Sequence, residues 1–383
     1  MTRLQFPGTP GMNGGPGTAD RNVPGRTLRR RYLRPAAMVL TVLAAAACTA
    51  GPDGAGGLST DESSAGAATA ETIATGLDAP WSVAFAGSTA LISERDTGRI
   101  LSVNPDGTTY EVGSIAESAG SGEGGLLGIA VQDGVLFTYL TAGEENRIDR
   151  RELSGDAGSW GLGPPETVVE GIPAGRVHNG GRLAFGPDGM LYATTGDAGD
   201  RDSAQDLESL AGKILRMAAD GTVPADNPLP GSLVYSYGHR NPQGIGWDAD
   251  GILYASEFGQ DTWDELNVIE PGGNYGWPEV EGMAGEAGFI DPVQQWAPDV
   301  ASPSGIAVVK ESAYIANLRG ERLRQVPLAG PGTSTDYFTG EHGRLRDVVN
   351  APDGSLWVLT NNTDGRGKPG PDDDRILRME PPD

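Results

Sequence analysis

Gly186-Pro187-Asp188-Gly189-Met190-Leu191-Tyr192-Ala193 has two further copies in the chain, Asp248-Ala249-Asp250-Gly251-Ile252-Leu253-Tyr254-Ala255 and Ala351-Pro352-Asp353-Gly354-Ser355-Leu356-Trp357-Val358. Ala90-Leu91-Ile92-Ser93 and Ser312-Ala313-Tyr314-Ile315-Ala316 are weaker copies. Short apolar segments recur with them: Val83-Ala84-Phe85, Gly128-Ile129-Ala130-Val131, Leu183-Ala184-Phe185, Gly244-Ile245-Gly246-Trp247, Gly305-Ile306-Ala307-Val308 and Asp347-Val348-Val349. Their starts lie roughly 45, 55, 61, 61 and 42 residues apart. Asp-Gly tolerates the positive φ that tight hairpins require, and alternating apolar residues give each strand one buried face. Each unit therefore reads strand, turn, strand. A period of about 40 to 60 residues with several strands per unit is a propeller pattern. The expected fold is all-β, a six-bladed β-propeller over residues 71–383, each blade a four-stranded antiparallel sheet. Ala204 to Ile214 is the one good helix candidate, between blades, and the long 3.6-period segments of a helical solenoid are absent.

Composition agrees with many turns: 59 Gly and 28 Pro in 383 residues, with 6% aromatics. The formal net charge is −24. That balance argues against a nucleic-acid partner, which needs clustered cations, but a small anionic ligand needs only a few local arginines. The first 47 residues run the other way, with seven Arg against one Asp. An apolar run from Ala36 to Ala47 follows, too short to cross a bilayer, so residues 1–47 read as an export signal that is removed. Leu28-Arg29-Arg30-Arg31-Tyr32-Leu33-Arg34 resembles a twin-arginine signal. Cys48 is the only cysteine, so no intrachain disulfide can form. Ala45-Ala46-Ala47-Cys48 resembles a bacterial lipobox without its usual Leu, which implies a lipid on Cys48. The alternative is an ordinary signal peptide cleaved nearby, leaving an inert thiol. Residues 48–70 are mostly Gly, Ala, Ser, Thr and Asp and read as a flexible tether. The expected location is outside the cytoplasm, as a lipoprotein at the cell surface or in the periplasm or otherwise as a secreted protein, with membrane contact only through that lipid.

Propellers carry function on the loops around a central channel, so residues that break the repeat are the candidates. Four stretches do so: 122–128, 178–183, 235–278 and 343–347. His178 has a side chain that titrates near neutrality and suits a general base. The bland alternative is a histidine fixed in a turn by hydrogen bonds. Arg344 and Arg346 alternate on a strand and present two guanidinium forks to one face, suited to a carboxylate-rich ligand; otherwise they are a solvated pair. Asp261, Asp264 and Glu265, with glycine carbonyls nearby, are oxygen donors of the kind Ca²⁺ takes, or simply solvated loop acids. His239 and His342 read as structural. One cysteine and no His-x-x-x-His spacing argue against zinc.

Taken together, Gly125-Leu126-Leu127-Gly128, His178-Asn179-Gly180-Gly181-Arg182-Leu183, Gly196-Asp197, Tyr237-Gly238-His239-Arg240-Asn241-Pro242-Gln243-Gly244, Asp264-Glu265-Leu266-Asn267, Asn274-Tyr275-Gly276-Trp277-Pro278 and Arg344-Leu345-Arg346-Asp347 resemble the soluble PQQ-dependent glucose/sorbosone dehydrogenases, in particular the aldose sugar dehydrogenase branch. The motifs run in family order over about residues 71–383. The resemblance implies a six-bladed propeller, matching the repeat count, and PQQ and Ca²⁺ as cofactors. It implies His178 as the base that takes the anomeric proton of an aldose while hydride leaves C1 for the quinone, giving the lactone. Arg240 and Asn241 fall on PQQ contacts and Arg344 and Arg346 on the pair that grips its carboxylates. Gly259 and Gln260 fall on two carbonyls that hold Ca²⁺; relatives that oxidise glucose have Pro at the second position. Glu265 and the Tyr275 carbonyl resemble a second, structural calcium site. Arg319 stands where a PQQ-binding lysine is common. Glu123 stands beside the cofactor at a position that can be Gln, where a carboxylate near an anionic quinone needs either a proton or another partner.

Two other functions fit a propeller. A calcium-dependent lactonase or other hydrolase requires carboxylates and amides around one channel metal, without an arginine cluster. A non-catalytic binding module requires no convergence of His178 with the arginines. No haem-attachment motif is present, so an oxidoreductase of this sequence passes electrons to a separate acceptor.

Overall fold

The computed structural model describes residues 63–382 apart from 105 and 157. The expected export signal and Cys48 lie outside the described residues, as does the tether up to residue 62. From there the chain forms six antiparallel sheets, one per sequence repeat. Blade 1 is Pro80–Ala86, Thr89–Glu94, Arg99–Val103 and Thr109–Ser114. Blade 2 begins with Leu126–Gln132 and Val135–Ala142; the long strand Glu145–Ser154 then pairs with both Gly161–Leu162 and Glu166–Pro173. Blade 3 is Leu183–Phe185, Leu191–Thr195, Lys213–Met217 and Val234–Tyr237. Blade 4 is Pro242–Trp247, Leu253–Glu257, Asp264–Ile269 and Gln294–Trp296. Blade 5 is Pro303–Val309, Ser312–Asn317, Arg322–Pro327 and Ser334–Tyr337. Blade 6 is Leu345–Asn350, Leu356–Thr360 and Ile376–Met379, completed by Glu71–Ala74 from the other end of the chain. That pairing of first and last strands closes the ring. Ser63–Ala65 lies within the stretch read as tether, yet it adds a parallel strand to the outside of blade 5.

All six recurring apolar segments lie on the first, innermost strands. The repeated Asp-Gly stretches are five-residue loops, with Phe185 opposite Leu191, Trp247 opposite Leu253 and Asn350 opposite Leu356. An aspartate ties each loop: Asp188, Asp248 and Asp353 accept the N–H groups of Met190, Ile252 and Ser355. The glycines take the positive φ that lets the chain reverse. Apolar packing is divided around the ring, with a separate cluster at each junction between neighbouring blades. Tyr192, Ile214, Ile245 and Leu253, for example, join blades 3 and 4.

One position per repeat faces the channel: Ser82, Gly128, Arg182, Gly244, Gly305 and Asp347. Arg182 donates to Asp347 (2.8 Å) and Ser82 (3.1 Å), so blades 1, 3 and 6 are joined across the axis. The three glycines are there because other groups approach closely; a Cβ on Gly305 would collide with Asp347. In five blades the pairing of the inner strand slips at this place. Such bulges re-aim side chains, here toward the axis.

The helix expected over Ala204 to Ile214 does not form. A single 3-10 turn, Arg201–Ala204, is followed by turns, and Lys213 already belongs to a strand. Gly212 adopts φ 66°, and Lys213 Nζ reaches back to the carbonyls of Ser203, Ala204 and Ala211. The side chain thus satisfies carbonyls that a helix would have bonded internally.

Candidate active site

In every blade the start of the inner strand and the end of its partner lie at the same end of the sheet. Residues just before the first strand and just after the second therefore meet around the channel mouth. They enclose a cavity of about 270 Å³ to which all six blades contribute. Its wall holds His178, Asn241 and Glu123, with six arginines: Arg95, Arg240, Arg319, Arg344, Arg346 and Arg366. Trp81 lines it too, with the Arg182 guanidinium 4.3 Å from its ring.

His178 has φ 58°, the left-handed region that a non-glycine residue occupies at a cost of about 1–3 kcal/mol. Its Nδ1 lies 2.7 Å from Asp197 Oδ1. Asp197 is fully buried and also accepts from the Gly199 N–H (2.7 Å) and from Trp277 Nε1 (2.9 Å). Burial alone would raise the Asp197 carboxyl, but the hydrogen bonds from His178, Gly199 and Trp277 outweigh it and hold it below its ordinary value. An ionised acceptor on Nδ1 fixes the tautomer in which Nε2 is the free acceptor. That is the geometry of a general base.

Arg344 pairs with Asp364 at 2.9 Å, and Arg346 bonds Gln243 (2.7 Å) and the Asn361 side chain. Burial presses Arg346 down to about 9; Asp364 opposes the shift, while Arg344, Arg95 and Arg182 add to it. Arg240 donates to the Gly259 carbonyl (2.6 Å), and its Nε has no partner; Nε of Arg344 is likewise unpartnered. Among the described residues, neither Arg240 nor the exposed Arg319 has a carboxylate within ion-pair distance. Guanidiniums crowded beyond their counterions, with donors unsatisfied, suit an anion of several carboxylates. Asn241 is also fixed: its Oδ1 accepts from the Gly180 N–H at 3.0 Å, joining the Arg240 loop to the His178 loop. Burial would raise the Glu123 carboxyl, but the His178 N–H and Arg366 hold it below its ordinary value. Its oxygens lie 2.9 Å from that N–H and 2.8 Å from Arg366.

The residues considered for metal binding lie beside this cavity. No cluster of three or more His, Cys, Asp or Glu set for a metal occurs among the described residues. Asp261 is exposed and bonds the Gln260 side chain. Asp264 is not a free ligand: its two oxygens accept the N–H groups of Gly259 and Ser302. Glu265, Glu257, Glu281, Gly259 and Tyr275 border a second, very small cavity. Burial, then repulsion from Glu257, pushes Glu265 up to about 8. Like those of Asp264, both Glu265 oxygens already accept, from the Gly282 N–H (2.8 Å) and the Asn267 side chain (3.1 Å), so a hard cation held here by carboxylate and main-chain oxygens would share Glu265 with these donors. His239 is buried, bonded to Ser236 and Glu257 and stacked on Tyr275, whereas His342 stands apart against Phe338.

Sequence reasoning named no role for Asp197, Trp81, Arg95 or Arg366. Asp197 stood in the quoted Gly196-Asp197 pair, but its partner is fixed only by the meeting of two loops. Arg366 comes from a polar loop with no repeat signal.

A glucose/sorbosone dehydrogenase family profile matches residues 77–377. The chain is 32% identical over 274 residues to quinoprotein glucose dehydrogenase B of Acinetobacter calcoaceticus, covering 58% of this chain and 57% of that one. It therefore spans little more than half of that relative's length. It is 28% identical over 332 residues to aldose sugar dehydrogenase YliI of Escherichia coli, covering 76% of this chain and 89% of that one. The structure resembles that of the PQQ-bound form of aldose sugar dehydrogenase from Streptomyces coelicolor, with a TM-score of 0.79 and 51% identity over 82% of this chain and 98% of the other. With a profile match spanning every blade and a shared fold at that identity, the chain belongs to the glucose/sorbosone dehydrogenase family.

Proposed function

We propose that this protein is a PQQ-dependent oxidoreductase that oxidises aldose sugars at C1 to the lactone and passes the electrons to a separate acceptor. One observation carries the reading: the oriented imidazole of His178 opens into the same cavity as six arginines. A lactonase built on a channel metal has no use for that cluster, and a non-catalytic rim does not require the convergence. When bound, PQQ supplies the two-electron acceptor and Ca²⁺ a Lewis acid to polarise it. The chain's own residues do the rest. Arg344, Arg346 and Arg319 would hold the carboxylates, with Arg240 and Asn241 at the reactive edge. His178 Nε2 takes the proton of the anomeric hydroxyl, and Asp197 steadies the imidazolium that results. The main-chain oxygens of Gly259 and Gln260 would hold Ca²⁺, with Arg240 giving up its bond to Gly259. Glu265 and the Tyr275 carbonyl would hold a second, structural ion. A domain exported on residues 1–47, and tethered through a lipid on Cys48, fits a reaction carried out outside the cytoplasm. Apoprotein mixed with PQQ and Ca²⁺ should reduce a dye in the presence of an aldose, and His178→Gln should keep PQQ while losing turnover by orders of magnitude. Near-normal turnover in that variant would remove His178 from the role of base.

A further inference from the structure

We propose that Glu123 is a positioning residue for His178: its carboxylate, anchored by Arg366, clamps the left-handed backbone on which the imidazole stands. This rests on the reading of His178 as the base.

A non-glycine residue at φ 58° persists only where its surroundings hold it. On the carbonyl side, His178 accepts from the Ala198 N–H at 3.1 Å, and Gly196 packs so closely that a Cβ there would collide with the His178 carbonyl. On the amide side the partner is Glu123, whose Oε2 accepts from the His178 N–H at 2.9 Å. Glu123 is itself held at two further points. Its own N–H donates to the Arg176 carbonyl at 3.0 Å, and its Oε1 meets Arg366 Nη1 at 2.8 Å. Gly122, at φ 63°, lies directly on Arg176, where a Cβ would collide with that carbonyl. The contacts thus run from the loop after the second strand of blade 6, through the loop before blade 2, to the base before blade 3. Both carboxylate oxygens are committed to this clamp, which gives a physical reason for an acid beside an anion-binding cavity.

Without the carboxylate, a partly buried amide loses its acceptor and the imidazole is no longer fixed over the reacting atom. Misplacement of about 1 Å can cost about 10²-fold in rate. Glutamine retains a carbonyl oxygen for the His178 N–H, and Arg366, whose side chain is 57% exposed, can swing into solvent. The acceptor rather than the charge therefore sets the outcome.

The test compares Glu123→Ala and Glu123→Gln with the parent. The chain has three histidines, so ¹⁵N-histidine labelling gives three backbone amide signals, and His178→Gln assigns the relevant one. In the apoprotein, Glu123→Ala should shift the His178 amide upfield and speed its hydrogen exchange, while Glu123→Gln leaves it near the parent position. After PQQ loading, Glu123→Ala should lose about ten- to a hundred-fold in kcat with KM changed less than three-fold, and Glu123→Gln should recover most of it. An unmoved amide in Glu123→Ala, a kcat within two-fold of the parent, or equal losses in the two variants each overturns the proposal. If the parent oxidises no aldose while the amide responds as stated, the clamp stands and the enzymatic reading fails.

Discussion

Replacing Asp197 by Asn changes one oxygen to nitrogen at the point where the imidazole of His178, the proposed base, is oriented. The carboxylate accepts from three donors: His178 Nδ1, the Gly199 N–H and Trp277 Nε1. An amide cannot accept from all of them. With its oxygen toward Gly199 and His178, its NH₂ faces the Trp277 indole N–H, donor against donor. With the orientation reversed, the NH₂ faces Nδ1, the imidazole adopts the other tautomer, and Nε2 carries the proton it should accept. The lost charge-assisted bond accounts for about 1.5–3 kcal/mol. Trapping the wrong tautomer raises the total to about 3–5.5 kcal/mol, which is about 10²- to 10⁴-fold in kcat. Because Asp197 is not on the cavity wall, KM for the aldose and the stoichiometry of PQQ should be nearly unchanged. Steady-state dye reduction by PQQ-loaded Asp197→Asn measures this directly. A kcat within three-fold of the parent would refute the assignment of Asp197 as the orienting group.

Two further outcomes concern stability. Arg182→Leu leaves Asp347 buried without its cation and should cost about 3–5 kcal/mol in urea unfolding. Burial already raises the Asp347 carboxyl, with Arg182 opposing the rise, so losing Arg182 raises it further. The deficit should then shrink as pH falls and Asp347 takes up a proton; a loss below 1 kcal/mol would show that the pair does not lock the channel. Asp364 behaves in the opposite sense: burial would raise it, but Arg344 and Arg346 hold it below its ordinary value. Its contribution is complete above the unfolded carboxylate range and lost as pH falls through its folded value, so Asp364→Asn should flatten the fall of Tm below about pH 4. Parallel Tm curves for parent and variant would contradict it.

The fold was legible because each repeat has to bury one strand face against its neighbour. Leu183, Ile245, Ile306 and Val348 recur for that reason, and their spacing counts the blades. Ala204 to Ile214 misled because helix-forming side chains conceal Gly212 and a lysine that bonds carbonyls itself. Ser63–Ala65 has the composition of a linker and gains strand structure only from an edge offered by blade 5. At the site, His178, Arg240, Asn241, Arg344 and Arg346 stood out because a scaffold has no need of them. Asp197 and Arg366 did not, and Glu123 was placed only by the family resemblance; their partners are fixed when loops meet, 19 positions apart for Asp197 with His178, 55 for Glu123 with His178 and 243 for Glu123 with Arg366. Asp264, open in the sequence between an oxygen donor and a solvated loop acid, is buried and ties the Gly259 loop to Ser302, a contact set by the fold.

The most direct test is a titration of purified apoprotein with PQQ in the presence of Ca²⁺, following aldose-dependent dye reduction at each addition. Activity should rise linearly to one PQQ per chain and then stop, and His178→Gln should take up the same PQQ without turning over. Tight, stoichiometric PQQ binding with no oxidation of any aldose would contradict the proposed function.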